Sequence, residues 1–322
     1  MATNDFSDGA AGVVSKINPP LIFVHTDGRD LSCRLAASAR ASQNDHGQSL
    51  VVGDKVCIGL LPDGSGEIIQ ILPRRNTLSR RSVVPMPGAH AHEQFIAANL
   101  DLVVPVFAAA NPAPRWHLLD RYLVLAEMVE APALICITKS DLARDKDNRL
   151  SAELAAALNA YEQLGYPVVV TSAQDGSGIE TMRQALYSKQ SVLLGKSGVG
   201  KTSLLNALQP GLGLRVNEVN RVTGKGRHTT SQAVLFHLDS GGDIIDTPGI
   251  REFGLWDILP EDLALYFVEM RPLVGRCRFG LGCRHVEEPG CAVRQAVTSG
   301  QISPQRYQSY IKLLEEDCRH EA

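Results

Sequence analysis

Residues Gly195-Lys196-Ser197-Gly198-Val199-Gly200-Lys201-Thr202 fit the pattern G-x-x-x-x-G-K-[ST]. The glycines at 195, 198 and 200 let the backbone curl until its N–H groups face a polyphosphate. Lys201 is the residue to reach the β- and γ-phosphates, and the Thr202 hydroxyl is the ligand for Mg²⁺. The flanks suit the pattern. The apolar run Ser191-Val192-Leu193-Leu194 reads as a strand leading in, and 202–208 as a helix leading out. The N-terminus of that helix adds a partial positive charge where an anion would sit. A chance glycine-rich turn would need neither flank.

Two further patterns have matching chemistry. Asp246-Thr247-Pro248-Gly249 follows Ile244-Ile245. It supplies a carboxylate for a Mg²⁺ shell and a glycine N–H able to sense a γ-phosphate. Thr138-Lys139-Ser140-Asp141 closes another apolar run and is a variant of N-K-x-D. A carboxylate at Asp141 accepts from both N1–H and the 2-amino group of guanine. Adenine lacks these donors and would leave the acid unpaired, which is a strong basis for discrimination. The Lys139 stem can lie along the base, and Thr138 stands where the usual motif has Asn. Thr171-Ser172-Ala173 closes a third run and can pack on the base, offering a backbone N–H to O6.

The order of these motifs is itself informative. The base-reading pair comes before the phosphate-reading pair, the reverse of a conventional GTPase, so the arrangement is circularly permuted. Permutation is permissible because all four motifs lie on loops at the carboxyl edge of a doubly wound sheet, where such sheets bind ligands. Between 212 and 231 lies a loop with the character of a switch. Its Thr229 or Thr230 is expected to complete the Mg²⁺ shell. After the second motif comes Ile250, where a water-orienting Gln is common. A hydrocarbon side chain cannot orient water, and His228 is the candidate catalytic group beside Lys201.

A different chemistry is implied by Cys277-x5-Cys283-x-His285-x5-Cys291. Three thiolates and an imidazole make a closed, tetrahedral Zn²⁺ site of the structural type. The remaining cysteines, Cys33, Cys57, Cys136 and Cys318, are scattered. In a chain without a secretory signal, the cluster points to metal rather than disulfides.

The elements that must position these groups follow from patterning. Residues 1–10 are small and polar and are expected to be disordered. Short β-branched runs separated by turn signals over 11–75 suggest a small closed barrel such as an OB-fold. A linker without clear periodicity is expected at 76–97. Over 98–255, alternating short strands and helices imply a mostly parallel sheet covered on both faces. From 256 to 322 the strands stop, and helices are expected at 261–270 and 303–319 around the metal cluster. The chain of 322 residues is 44% hydrophobic and 21% charged, as soluble globular proteins are. Its net charge of −3 hides three basic stretches. These lie at Arg74, Arg75, Arg80 and Arg81, at Arg221, Lys225, Arg227 and His228, and at Arg271, Arg276, Arg278 and Arg284. Beside the motifs they point toward RNA. No apolar run reaches membrane-spanning length, and nothing calls for a dimer. A cytoplasmic monomer without a membrane partner is the expectation.

The whole arrangement resembles the ribosome small-subunit-dependent GTPase A (RsgA, YjeQ) family. Besides the permuted motifs, the resemblance runs through Val51-Val52-Gly53-Asp54, Leu119-Asp120-Arg121-Tyr122, Gly226-Arg227-His228-Thr229-Thr230 and Glu288-Pro289-Gly290-Cys291. It implies an N-terminal OB-fold, a permuted GTPase domain and a C-terminal zinc domain. It further implies binding to the 30S subunit and its 16S rRNA, GTP hydrolysis stimulated by the subunit, and a role late in 30S maturation. This chain departs from the family's usual pattern at Thr138, usually Asn. It also has five rather than four residues between its first two zinc cysteines. Two other readings compete: an RNA-binding scaffold with a structural nucleotide, favoured by Ile250, and a metabolic P-loop kinase or ATPase, disfavoured by Asp141.

Overall fold

Alternating apolar side chains and turn residues build a barrel first. Strands β1 (Ala10–Asn18), β2 (Leu21–Thr26), β3 (Arg29–Leu35), β4 (Lys55–Leu60) and β5 (Gly66–Ile71) run in the order β1-β2-β3-β5-β4, and β4 pairs back onto β1. The β3–β5 pairing is parallel and the others antiparallel, as in an OB-like closed barrel. Val14, Val24, Val56, Ile58 and Ile68 fill its interior. Asp27 and Gly28, both at positive φ, make the tight β2–β3 turn whose twist matches the strands. The computed structural model describes residues 9–37, 39, 49–81, 93–147, 149–214, 233–247, 255 and 258–317. The tail expected to be disordered therefore lies, up to residue 8, outside the described residues.

The stretch expected as a linker holds regular structure. Strands β6 (Thr77–Arg81) and β7 (Glu93–Ala98) form an antiparallel ribbon. It is tied to the barrel where the Ala98 N–H donates to the Val52 carbonyl. Long separation along the chain conceals such a pairing from periodicity.

The central sheet runs β10 (Val168–Val170), β9 (Ile135–Thr138), β8 (Leu102–Ala108), β11 (Gln190–Leu194), β13 (Asp243–Asp246) and β12 (Val234–His237). All neighbours are parallel except β12. Strand β8 is buried on both faces. Val103 and Phe107 meet helix α1 (Trp116–Met128) on one side, while Leu102, Val104 and Val106 lie in a second core with α3 (Ile179–Leu186) and α4 (Lys201–Leu208). Helix α2 (Ala152–Gln163) begins on Ser151, whose hydroxyl accepts from the Leu154 N–H. The Lys16–Val234 pair joins β1 to β12, making barrel and central sheet hydrogen-bonded neighbours.

The C-terminal part differs from expectation at 261–270. Only short 3-10 turns form there, at Leu263–Tyr266 and Arg271–Leu273. Pro260 and Pro272 bracket the segment and limit helix growth. Phe267 leaves helical geometry and is fully buried, with its ring edge-on to Tyr310. Helix α5 (Ala292–Thr298) follows the metal cluster, and α6 (Pro304–Asp317) packs on α1. Arg306 on α6 is 4% exposed and donates to Asp120 of α1 at 2.7 Å and to Glu269 at 2.6 and 3.0 Å. No helix among the described residues is long and apolar enough to cross a membrane.

Candidate nucleotide site and metal centre

Strand β11 delivers the glycine-rich loop to the carboxyl edge of the sheet, and α4 carries the chain away. A Cβ on Gly195 would stand 2.5 Å from the Val106 carbonyl, so only glycine lets the loop pass this close to β8. Gly200, at φ +100°, turns the chain into α4. Lys201 arches over the loop and donates to the carbonyls of Gly195 at 2.5 Å and Lys196 at 3.4 Å.

On the neighbouring strand end, Asp246 closes β13. Burial pushes its carboxyl above the usual range, against the pull of the Lys201 ammonium. Burial in turn lowers Lys201, against the pull of Asp246. Asp246 Oδ1 is buried with no hydrogen-bond partner in the structure. A buried carboxylate oxygen in that condition suits a cation.

Three strands away, β9 ends in Thr138. Its hydroxyl lies against the carbonyls of Phe107, at 3.2 Å, and Val199 of the phosphate loop. The hydroxyl at the motif's first position thus ties β9 to the loop. Lys139, at φ +54°, sends its ammonium to the carbonyls of Asn111 (2.5 Å) and Gly198 (2.7 Å). Asp141 accepts from the Ser172 hydroxyl at 2.7 Å. Ser172 itself accepts from the backbone N–H groups of Gln174 and Asp175, which fixes it. Ser140 is fully buried and anchors the turn through its N–H to the Thr171 carbonyl.

A cleft of about 500 Å³ opens between these strand ends. Thr138, Lys139, Asp141 and Ala173 line one side and Gly200 with Ser203 of α4 the other. Its volume falls in the range of small-molecule sites. Thr138, Lys139, Asp141 and Ala173, distant from the loop in sequence, thus share one cavity with its last glycine. Sequence reasoning missed two participants. Leu142 is 52% exposed and lines the cleft, so it offers an apolar face to a planar ring. Asn111 anchors Lys139 from the β8–α1 connection, at a distance no local pattern reveals. His228, Thr229, Thr230 and Gly249 lie outside the described residues.

Comparison with known proteins agrees with this geometry. Residues 71–256 match the model of a family described as RsgA GTPase. The chain is 47% identical over 289 residues to the small ribosomal subunit biogenesis GTPase RsgA of Gemmatimonas aurantiaca, covering 88% of this chain and 90% of that one. To the protein of the same name from Pseudomonas aeruginosa it is 44% identical, covering 89% and 79%. The chain belongs to the RsgA GTPase family. Its fold agrees as well. The crystal structure of YjeQ from Thermotoga maritima superposes with a TM-score of 0.75 at 34% identity, covering 96% of this chain and 98% of that one. A structure described as YloQ, a circularly permuted GTPase, gives 0.72 at 30% identity, covering 98% and 97%. This member of the RsgA family is a GTP-hydrolysing enzyme with the permuted motif order.

Its second centre is built in the C-terminal part. Cys277, Cys283, His285 and Cys291 are all buried, with their donor atoms within 4.8 Å of one another. The Cys277 and Cys291 sulfurs are 3.8 Å apart, and each lies 3.4 Å from His285 Nδ1. Tetrahedral zinc predicts edges of about 3.8 Å between sulfurs and about 3.6 Å between sulfur and nitrogen. The cluster therefore suits a zinc site. The N–H groups of Ala292 and Arg294 donate to the Cys277 and Cys291 sulfurs, so Cys291 also caps α5. That cap explains why α5 starts where it does, a helix that hydrophobic periodicity did not reveal. Five intervening residues between Cys277 and Cys283 are accommodated by a 3-10 turn, Gly280–Gly282, with Gly280 at positive φ. Tyr310 and Tyr307 of α6 donate to the carbonyls of Arg284 and His285, holding the ligand loop.

Proposed function

We propose that this enzyme binds GTP across the cleft and hydrolyses it on the small ribosomal subunit, late in maturation of the 30S particle. The name shared by its relatives in two bacteria supports the partner. The observation that carries the nucleotide assignment is the single cavity shared by Asp141 and the phosphate-loop glycine. Asp141, steered by Ser172, reads the guanine edge, with Lys139 and Leu142 against the ring and Ala173 beside O6. The backbone of Gly195, Lys196, Ser197, Gly198, Val199 and Gly200 cradles the phosphates, and Lys201 swings from its carbonyl partners to them. Mg²⁺, which GTPases generally require, neutralises phosphate charge. Thr202, Asp246 and Thr229 or Thr230 are its ligands, and Gly249 senses the γ-phosphate. His228 positions the attacking water.

In this reading the GTP form grips 16S rRNA, the subunit accelerates hydrolysis, and hydrolysis releases the enzyme. It works in the cytoplasm as a monomer, with zinc shaping the C-terminal domain. Not every basic residue is available for RNA. Arg74 clasps the buried Asp54 through two bonds of 2.7 and 2.8 Å, and Arg271 pairs with Glu127. Arg278 and Arg284, around the zinc ligands, are better placed. Affinity should fall steeply with salt as counterions are released.

The test is GTP turnover by the purified protein, alone and with 30S subunits, with Lys201→Ala as control. Strong stimulation that the substitution abolishes is the expected result. Unchanged turnover with GTP still bound would replace this reading with an RNA-binding scaffold, the alternative that Ile250 favours.

A further inference from the structure

At the seam between the barrel and the central sheet, four side chains meet that no part of the nucleotide or zinc centre uses. His25 on β2 and His237 on β12 stack, with ring centroids 3.3 Å apart and planes inclined by 28°. Each imidazole is held by a carboxylate through Nδ1: His25 by Asp30 of β3 at 3.1 Å, and His237 by Asp243 of β13. Asp30 Oδ1 also accepts from the Ser15 hydroxyl at 3.2 Å. At His237 the Asp243 carboxylate fixes Nδ1 as the protonated nitrogen and leaves Nε2 as a lone pair, the second-shell arrangement of metal-binding histidines. His237 Nε2 is buried and has no hydrogen-bond partner in the structure. An orphaned polar atom of this kind is costly unless something satisfies it.

We propose that His25, His237 and Asp30 form a second metal site, for a divalent transition ion of the zinc or nickel type. One donor atom from each lies within 4.8 Å of the others. Two imidazoles and one carboxylate suit such an ion rather than Mg²⁺ or Ca²⁺, which take oxygen ligands. His25 Nδ1 and Asp30 Oδ1, 3.1 Å apart, have the spacing of two neighbouring ligands of one ion. The Asp30 side chain is 53% exposed, which leaves a path from solvent and room for water to complete the shell. Asp243 then acts as the positioning group for His237.

The location gives the ion a task. Among the described residues, the Lys16–Val234 pair is the only strand pairing that joins β1 to β12. A metal bridging β2, β3 and β12 would clip the barrel to the hairpin whose second strand ends in Asp246. It would therefore stiffen the joint between the RNA-facing barrel and the nucleotide edge.

The experiment uses the full-length protein with its cysteine centre already filled by zinc and loose metal removed. Zn²⁺ is titrated against a chromophoric chelator, and Ni²⁺ binding is followed separately by its absorption. One further equivalent per chain is expected for the wild type, lost in His25→Ala and in His237→Ala with the cysteine-bound zinc retained. Asp30→Asn, at a half-exposed position, should weaken the extra site roughly 10-fold or more while leaving the fold intact. His117→Ala, which removes a histidine elsewhere, should bind both equivalents. No extra equivalent at tens of micromolar metal, or equal uptake by wild type and Asp30→Asn, overturns the proposal.

Discussion

Replacing Arg306 by alanine should cost about 3–5 kcal/mol, the range for removing one member of a buried ion pair. The Arg306 side chain is 5% exposed and answers two carboxylates, Asp120 at 0% and Glu269 at 7%. Burial opposes its charge, but the two carboxylates outweigh that and hold the guanidinium more firmly protonated than usual. The Tyr161 hydroxyl also donates to Asp120, and the Phe267 ring lies 4.6 Å from the guanidinium carbon. Alanine would leave two negative charges in an interior with no counterion, and a cavity between Phe267 and Tyr161. The assay is urea unfolding followed by Trp116 fluorescence in a Trp256→Phe background, because the Trp116 ring lies 5.9 Å from Tyr161. A triple variant, Arg306→Met with Asp120→Asn and Glu269→Gln, removes the charges together and should recover most of the loss. The cost arises from unpaired charge rather than from absence of the bridge. A loss below about 1 kcal/mol for Arg306→Ala, or a triple variant no better than the single, would refute the reasoning.

Three further outcomes follow from the same geometry. On the proposed guanine contact, Asp141→Asn removes a carboxylate that would face two donors, so GTP affinity should fall by about 100-fold or more, as two charge-assisted bonds of about 1.5–3 kcal/mol each imply. Equilibrium binding of a fluorescent GTP analogue, with ATP as competitor, measures it. Burial raises the Asp246 carboxyl. In the metal-free protein this acid therefore contributes stability below its ordinary carboxylate range, lost as pH rises through the raised value. Mg²⁺ needs the ionised form, so Mg²⁺ affinity of the nucleotide complex should weaken as pH falls from neutral toward that range, and a flat profile in calorimetry would contradict the assignment. Stripping zinc with a strong chelator should unfold the segment from Cys277 to Thr298 while leaving the barrel folded, visible as hydrogen-exchange protection lost only there. Protection unchanged after metal loss would make the cluster non-structural.

Much of this protein was legible along the chain because its chemistry is carried by local patterns. The phosphate loop, the D-x-x-G and K-x-D motifs and the Cys277, Cys283, His285 and Cys291 cluster each need a fixed short spacing. The strands that carry them are short apolar runs on both faces of a covered sheet, so their limits could be read within a residue or two. The ribbon of β6 and β7 was not legible, since its pairing depends on partners distant in sequence. The 261–270 segment reads as a helix, yet Phe267 gains more by turning its ring onto Tyr310 and Arg306 than by continuing a helix between two prolines.

Residue type and spacing alone determined that the chain carries GTPase motifs in permuted order and a Cys-Cys-His-Cys cluster that suits zinc. They also determined the sequence of barrel, α/β sheet and helical end. Only the tertiary structure decided that Thr138 ties to Val199, that Ser172 steers Asp141, that Arg74 is committed to Asp54, and that His25 meets His237. Each of these contacts joins atoms from different strands or loops. Their distance is set by sheet register and by barrel closure, and no local stretch of sequence contains that information.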